Sequence, residues 1–212
     1  MFNLTVDEYI SLRSFHPDHA EALFRLLEQN RARLRPWISP TSLYETAKAT
    51  RIFTIECLFD DLEDSMETLA LFKQYYPELD GYFLSPRPAW EFGIWFHENL
   101  VGFISISHLS DSKTAAKFGY WLTLEQEGKG IMTRCVSALM DWAIEKMKIQ
   151  RFVITCAVSN QRSRSIAERL GYRLQVTQPG REVVGEFIYD RVIYGIRSTT
   201  WLERNQANGP GI

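Results

Sequence analysis

The chain has 212 residues, 45% of them hydrophobic, 13% aromatic and 24% charged, an ordinary globular composition that can bury one sizeable core. Its 24 basic and 26 acidic residues leave a formal charge of −2, without the basic excess that general binding to a nucleic-acid backbone requires. No apolar run is long enough to span a membrane, no cationic-then-apolar leader opens the chain, and Cys57, Cys135 and Cys156 are too scattered for a disulfide framework. A cytoplasmic protein with reduced thiols is expected. Among the histidines only His16 and His19 are close, with Pro17 between them and no third ligand in sight, so no metal is expected.

Residues 9–15 read as a strand, and His16-Pro17-Asp18 then carries the signals of a helix start. Ala20, Leu23, Leu27 and Leu34 recur at helical spacing until Pro36 stops the helix. Residues 41–76 read as amphipathic helix, and Glu56, Asp60, Asp61, Glu63, Asp64 and Glu67 occur there with no basic residue among them. These acids form either a solvated helix face or a rim that attracts a cationic substrate. Residues 81–88, with Pro86 and Pro88, read as a loop.

From Trp90 onward strands take over. Residues 90–96 and 100–108 form a hairpin across a short turn at His97-Glu98-Asn99, and 117–124 add a third strand. After Glu125-Gln126-Glu127-Gly128-Lys129-Gly130 comes a helix with Met132, Val136, Leu139 and Ala143 on one face. Residues 151–158 are almost continuously apolar, as in a strand buried on both faces, which makes a right-handed βαβ unit. A helix over about 161–170, closed by Gly171, and strands over about 172–178 and 187–196 finish the pattern. One domain over 1–205 is expected, with a helical insertion over about 41–89 and a polar tail at 206–212.

Gly128 and Gly130 precede a helix by one turn, which leaves backbone N–H groups bare for an anion such as pyrophosphate. A Walker loop is excluded, because no Gly-Lys-Ser/Thr follows, and the third glycine of a dinucleotide fingerprint is missing. Tyr120-Trp121-Leu122 with Gly128-Lys129-Gly130-Ile131-Met132-Thr133 resembles the acyl-CoA segment of the GNAT superfamily, and more narrowly of RimJ/RimL-type N-acetyltransferases. Three further elements fit in order: Arg35-Pro36-Trp37-Ile38; Asn160-Gln161-Arg162-Ser163, ending in Glu168-Arg169-Leu170-Gly171-Tyr172; and Tyr189-Asp190 with Val192 and Tyr194. The resemblance covers roughly 8–40 and 90–198.

It implies an α/β fold with a mixed sheet whose parallel fourth and fifth strands splay apart. Acetyl-CoA would be the cosubstrate, with no metal. Pantetheine would pair with the backbone at Leu122 and Leu124, and pyrophosphate would take N–H groups from Gly128, Gly130, Ile131, Met132 and Thr133, with Lys129 in the same loop. Asn160 would contact the pantetheine arm, or cap the helix beside it. Ser163 and Glu182 would be catalytic, Glu182 as general base, although by residue type alone it also reads as a surface loop acid. Trp37 and Trp90 would line the acceptor pocket, and buried Cys156 reads as packing.

Two positions depart from the family pattern. Glu127 stands where Gln or Arg is usual; with its side chain outward the backbone can still bind, and Lys129 or Arg134 would offset its charge. Ala167 stands where a tyrosine acid is usual. The expected partners are acetyl-CoA and an acceptor amine, first a protein N-terminus such as that of a ribosomal protein, with neither nucleic acid nor membrane. A homodimer is left open. The alternatives are acetylation of a small amine such as a polyamine or aminoglycoside, or a non-catalytic acyl-CoA-binding regulatory module.

Overall fold

The computed structural model describes residues 2–39, 43–60, 74–76, 89–109 and 112–208. In chain order its strands are β1 (Asn3–Thr5), β2 (Ile10–Ser14), β3 (Ala89–Phe96), β4 (Asn99–His108), β5 (Ala115–Leu122), β6 (Arg151–Ala157), β7 (Arg173–Val184) and β8 (Phe187–Arg197). The helices are α1 (Ala20–Leu34), α2 (Ala47–Asp60), α3 (Ile131–Met147), α4 (Gln161–Arg169) and α5 (Ser198–Asn208). The strands form one sheet in the order β1-β2-β3-β4-β5-β6-β8-β7, antiparallel throughout except for β5 beside β6. This is the mixed α/β sheet expected.

Side-chain alternation along the strands decides which helices cover which face. Leu12, Phe92, Ile104 and Phe118 pack with Val136 and Leu139 of α3, and with Ala167 and Trp201 from α4 and α5. Phe15 and Trp121 point the other way, onto Leu23 and Leu27 of α1 and Phe53 of α2. The β3–β4 turn places both His97 and Glu98 at positive φ (46° and 62°), the conformation whose twist suits a two-residue hairpin.

β5 and β6 pair at only three positions: Ala115↔Arg151, Ala116↔Phe152 and Lys117↔Val153. Beyond Lys117 and Val153 they part, each still held on its outer side by β4 or β8. These are the expected splayed strands, fifth and sixth by count because the short β1 precedes them.

Three boundaries differ from the expectation. β5 ends at Leu122, and Leu124 opens a 3₁₀ turn (Leu124–Gln126) whose Leu124 carbonyl accepts from Glu127 N–H. β7 does not stop at Gln178 but continues to Val184; Pro179-Gly180, which reads as a break, is absorbed where the β7–β8 register slips between Gln178 and Glu182. The C-terminal helix α5 takes in 206–208 of the expected polar tail; Trp201 anchors it, donating from Nε1 to Asp141 Oδ1 at 2.6 Å. Of the expected insertion, α2 is helical, whereas Asp61, Glu63, Asp64 and Glu67 and the loop at 81–88 lie outside the described residues.

Candidate active site

The turn before α3 carries the first half of the site. Gly128 and Gly130 take left-handed backbone conformations (φ 75° and 73°), and a Cβ built on either meets nothing within 4 Å. Gly130 is the N-cap of α3 and supplies no side chain, so no cap consumes the first N–H groups, those of Ile131, Met132 and Thr133. Open space over bare donors at the positive end of a helix of 17 residues suits a pyrophosphate. Lys129 donates to Gln126 Oε1 at 3.0 Å.

The turn opens into a cavity of about 1010 Å³ that follows the splay between β5 and β6. Thr123 N–H donates to Val101 O on β4, so ladder alternation directs the N–H and C=O of Leu122 into the splay. On the opposite wall Asn160 caps α4, its Oδ1 accepting from Ser163 N–H at 3.2 Å, which leaves the amide nitrogen of the side chain to donate elsewhere. Both readings of Asn160 are therefore compatible with its position. Ser163 Oγ lies 3.0 Å from the hydroxyl of Tyr120, which reaches across from β5. Cys156 lines the same wall, and burial pushes its thiol above the ordinary value, away from the thiolate a nucleophile needs.

Glu182 also lines the cavity, half-buried, with Oε2 3.9 Å from Arg191 Nε. It is a strand residue, not a loop acid, and the slipped register of β7 accompanies its turn toward the cavity. Trp37 lines the cavity too, stacked on Tyr189 at 5.6 Å, while Arg35 pairs with Glu186 at 3.1 Å. The segment after α1 is thus clasped to the β7–β8 hairpin. Trp90 is placed elsewhere: it shares the Phe92 side of β3 and meets His108 edge-on, while the next residue, Glu91, lines the cavity. The structure therefore corrects Trp90 as an acceptor-pocket residue, because alternation along β3 turns it to the other face. Leu124 and Lys129 also lie outside the lining.

Glu127 is compensated, but not by the expected partners. Arg33 of α1 reaches its Oε1 at 2.5 Å, and Arg162 of α4 reaches Oε2 at 3.1 Å. Arg134 is instead paired with Asp7. Arg33 also donates to the Leu122 carbonyl at 2.5 Å and to Asn30 Oδ1 at 3.0 Å, so one guanidinium joins α1, the splay and the turn. Arg33 and Tyr120 are the site residues that sequence reading passed over; Tyr120 stood inside the quoted motif, on the same strand face as Leu122. Because Glu127 still places an anion beside the turn, Glu127→Gln should tighten coenzyme A binding several-fold at low salt. Calorimetry at rising ionic strength should show that gain shrinking.

A family model described as the acetyltransferase (GNAT) domain matches residues 10–173. The chain belongs to the GNAT acetyltransferases. Among its relatives, this acetyltransferase is 29% identical over 201 residues to YdaF of Bacillus subtilis (strain 168), a candidate ribosomal N-acetyltransferase, covering 95% of this chain and 98% of that protein. It is 23% identical over 172 residues to the ribosomal-protein-serine acetyltransferase of Escherichia coli (strain K12), covering 81% and 83%. A solved structure of RimL, a ribosomal L7/L12 alpha-N-protein acetyltransferase in complex with coenzyme A, superposes with TM-score 0.72 at 25% identity over 92% of this chain and 98% of that one. The GNAT protein described here is accordingly an acetyl-CoA-dependent N-acetyltransferase. Among the described residues no cluster of His, Cys, Asp and Glu suited to a metal is present.

Proposed function

We propose that the enzyme acetylates the α-amino group of a protein N-terminus, that of a ribosomal protein, with Glu182 as general base and Ser163 beside the leaving thiol. The observation that carries this reading is one cavity lined together by a bare helix N-terminus, the splayed strand edge and Glu182. Gly128, Gly130, Ile131, Met132 and Thr133 hold the pyrophosphate through their N–H groups. Leu122 and the Asn160 side-chain amide hold the pantetheine arm, which sets the thioester between Ser163 and Glu182. Glu182 takes a proton from the attacking amine, directly or through a water, and a backbone N–H on the Leu122 strand steadies the oxyanion. Names among the relatives that specify ribosomal proteins support the acceptor class. Cys57, Cys135 and Cys156 form no disulfide, which suits work in the cytoplasm.

Chemistry favours an α-amine over a lysine. Their reference pKa values are about 7.7–8.0 and about 10.4, so near neutral pH the reactive neutral fraction of the α-amine is a few hundred times larger. Two peptides of equal charge test this, one with an open N-terminus and one N-blocked but carrying lysines. Acetyl transfer should appear on the first, with release of coenzyme A in step. Preference for the blocked peptide, or activity confined to a polyamine, would overturn the acceptor assignment. Absence of thiol release with every amine would leave a binding module.

A further inference from the structure

Ser163 has one hydroxyl proton, and the direction of that proton decides what the residue does. Its backbone N–H is spent on Asn160 Oδ1, and its Oγ faces the Tyr120 hydroxyl at 3.0 Å. A hydroxyl pair can be ordered in either sense, since each group donates once and accepts twice. If Ser163 donates to Tyr120, no proton is left for a sulfur in the cavity. If Tyr120 donates, the Ser163 proton is free for a sulfur, that of a thioester in the cavity or that of Cys156, whose thiol neighbours Ser163. One turn further along α4 Ala167 carries no hydroxyl and is fully buried in the core, while Ser165, on another face of the helix, accepts from Gln161 Nε2 at 3.4 Å. The second hydroxyl comes instead from β5, on the far wall of the splay.

We propose that Tyr120 is a positioning residue for acetyl transfer: its hydroxyl donates to Ser163 Oγ and turns the Ser163 proton onto the departing sulfur. This rests on the role given to Ser163 above. In the step, the N–C bond forms and the C–S bond breaks with its electron pair going to sulfur. The amine proton passes to Glu182, and the thiolate departs hydrogen-bonded to Ser163, to be protonated by solvent. Tyr120 keeps its own proton throughout. Burial raises its pKa above the ordinary tyrosine value, so the phenol is a hydrogen-bond donor and not an acid at working pH. A chain of two hydroxyls ending on an anion polarises in one sense, which favours this order as charge reaches the sulfur.

The test is a cycle of Tyr120→Phe, Ser163→Ala and the double variant, with kcat and the KM for acetyl-CoA measured for each. Tyr120→Phe should lower kcat by about tenfold with KM changed less than about twofold, the scale of one hydrogen bond to a developing charge. Ser163→Ala should lose at least as much, and the double variant no more than Ser163→Ala alone. Difluorotyrosine introduced at position 120 alone, a stronger donor of the same shape, should keep wild-type kcat or exceed it. If Ser163→Ala lowers kcat and Tyr120→Phe does not, this proposal fails while the role of Ser163 stands. If Ser163→Ala is without effect, both fail. Multiplying losses, or a raised KM with unchanged kcat, would make Tyr120 a brace between the two walls. An alkaline fall of kcat in the wild type that Tyr120→Phe removes would make it a proton donor. Each of those results overturns the inference.

Discussion

Gly130→Glu should weaken acetyl-CoA binding by about a hundredfold, equivalent to about 2.7 kcal/mol, in a protein that still folds. The glycine is the uncapped start of α3, at φ 73°, with open space where a side chain would go. A glutamate there brings a negative charge to the point where the pyrophosphate would collect N–H groups, and its carboxylate competes for the same donors. Any non-glycine residue also costs about 1–2 kcal/mol for the left-handed conformation, which must be separated from the charge effect. Gly130→Ala carries the backbone cost without the charge. Its melting temperature should fall with that of Gly130→Glu, while its affinity by calorimetry stays within a few-fold of wild type. Equal affinities in the two variants would move the phosphate site elsewhere.

Glu182→Gln should reduce kcat near neutral pH by about a hundredfold, the lower end of what a positioned base contributes, with little change in affinity for coenzyme A. The substitution keeps the side chain's size in β7, where residue 182 sits opposite Tyr189, and removes only proton acceptance and the charge facing Arg191. The signature lies in the pH profile. Above about pH 8 the α-amine loses its proton unaided, so the gap between variant and wild type should narrow as pH rises. Parallel profiles with a constant gap would assign Glu182 to positioning, and identical profiles would remove it from the mechanism.

The βαβ unit from β5 through β6 was legible because each part carries its own signal: a glycine turn, a helical stripe and an apolar strand. The first helix and the β3–β4 hairpin were legible for the same reason. What escaped depends on contacts between distant segments. The partners of Glu127 lie on α1 and α4, and no local pattern announces that Arg33 and Arg162 converge on it. Lys129 and Arg134 were nearer in sequence and found other partners. Pro179-Gly180 has the composition of a turn, and only pairing with β8 shows that the strand continues past it and carries Glu182 to the cavity. Helix α5 is mostly polar and exposed, with Trp201 buried against the core, so its pattern was too thin to register. Trp90 shows the converse: an aromatic near the right place in sequence, on the wrong parity of its strand.

The three-rung ladder between β5 and β6 bears on the protein's thermodynamics as well as its chemistry. Where the strands diverge, the polypeptide alone leaves the sheet interrupted, and a pantetheine arm paired there as proposed above would complete it. Binding of the acyl donor would then formally be the last strand-pairing event of folding. By linkage, donor at about a hundred times its dissociation constant adds about 2.7 kcal/mol to unfolding stability. Acetyl-CoA bound in this way would protect the folded enzyme against unfolding as well as supply its reaction.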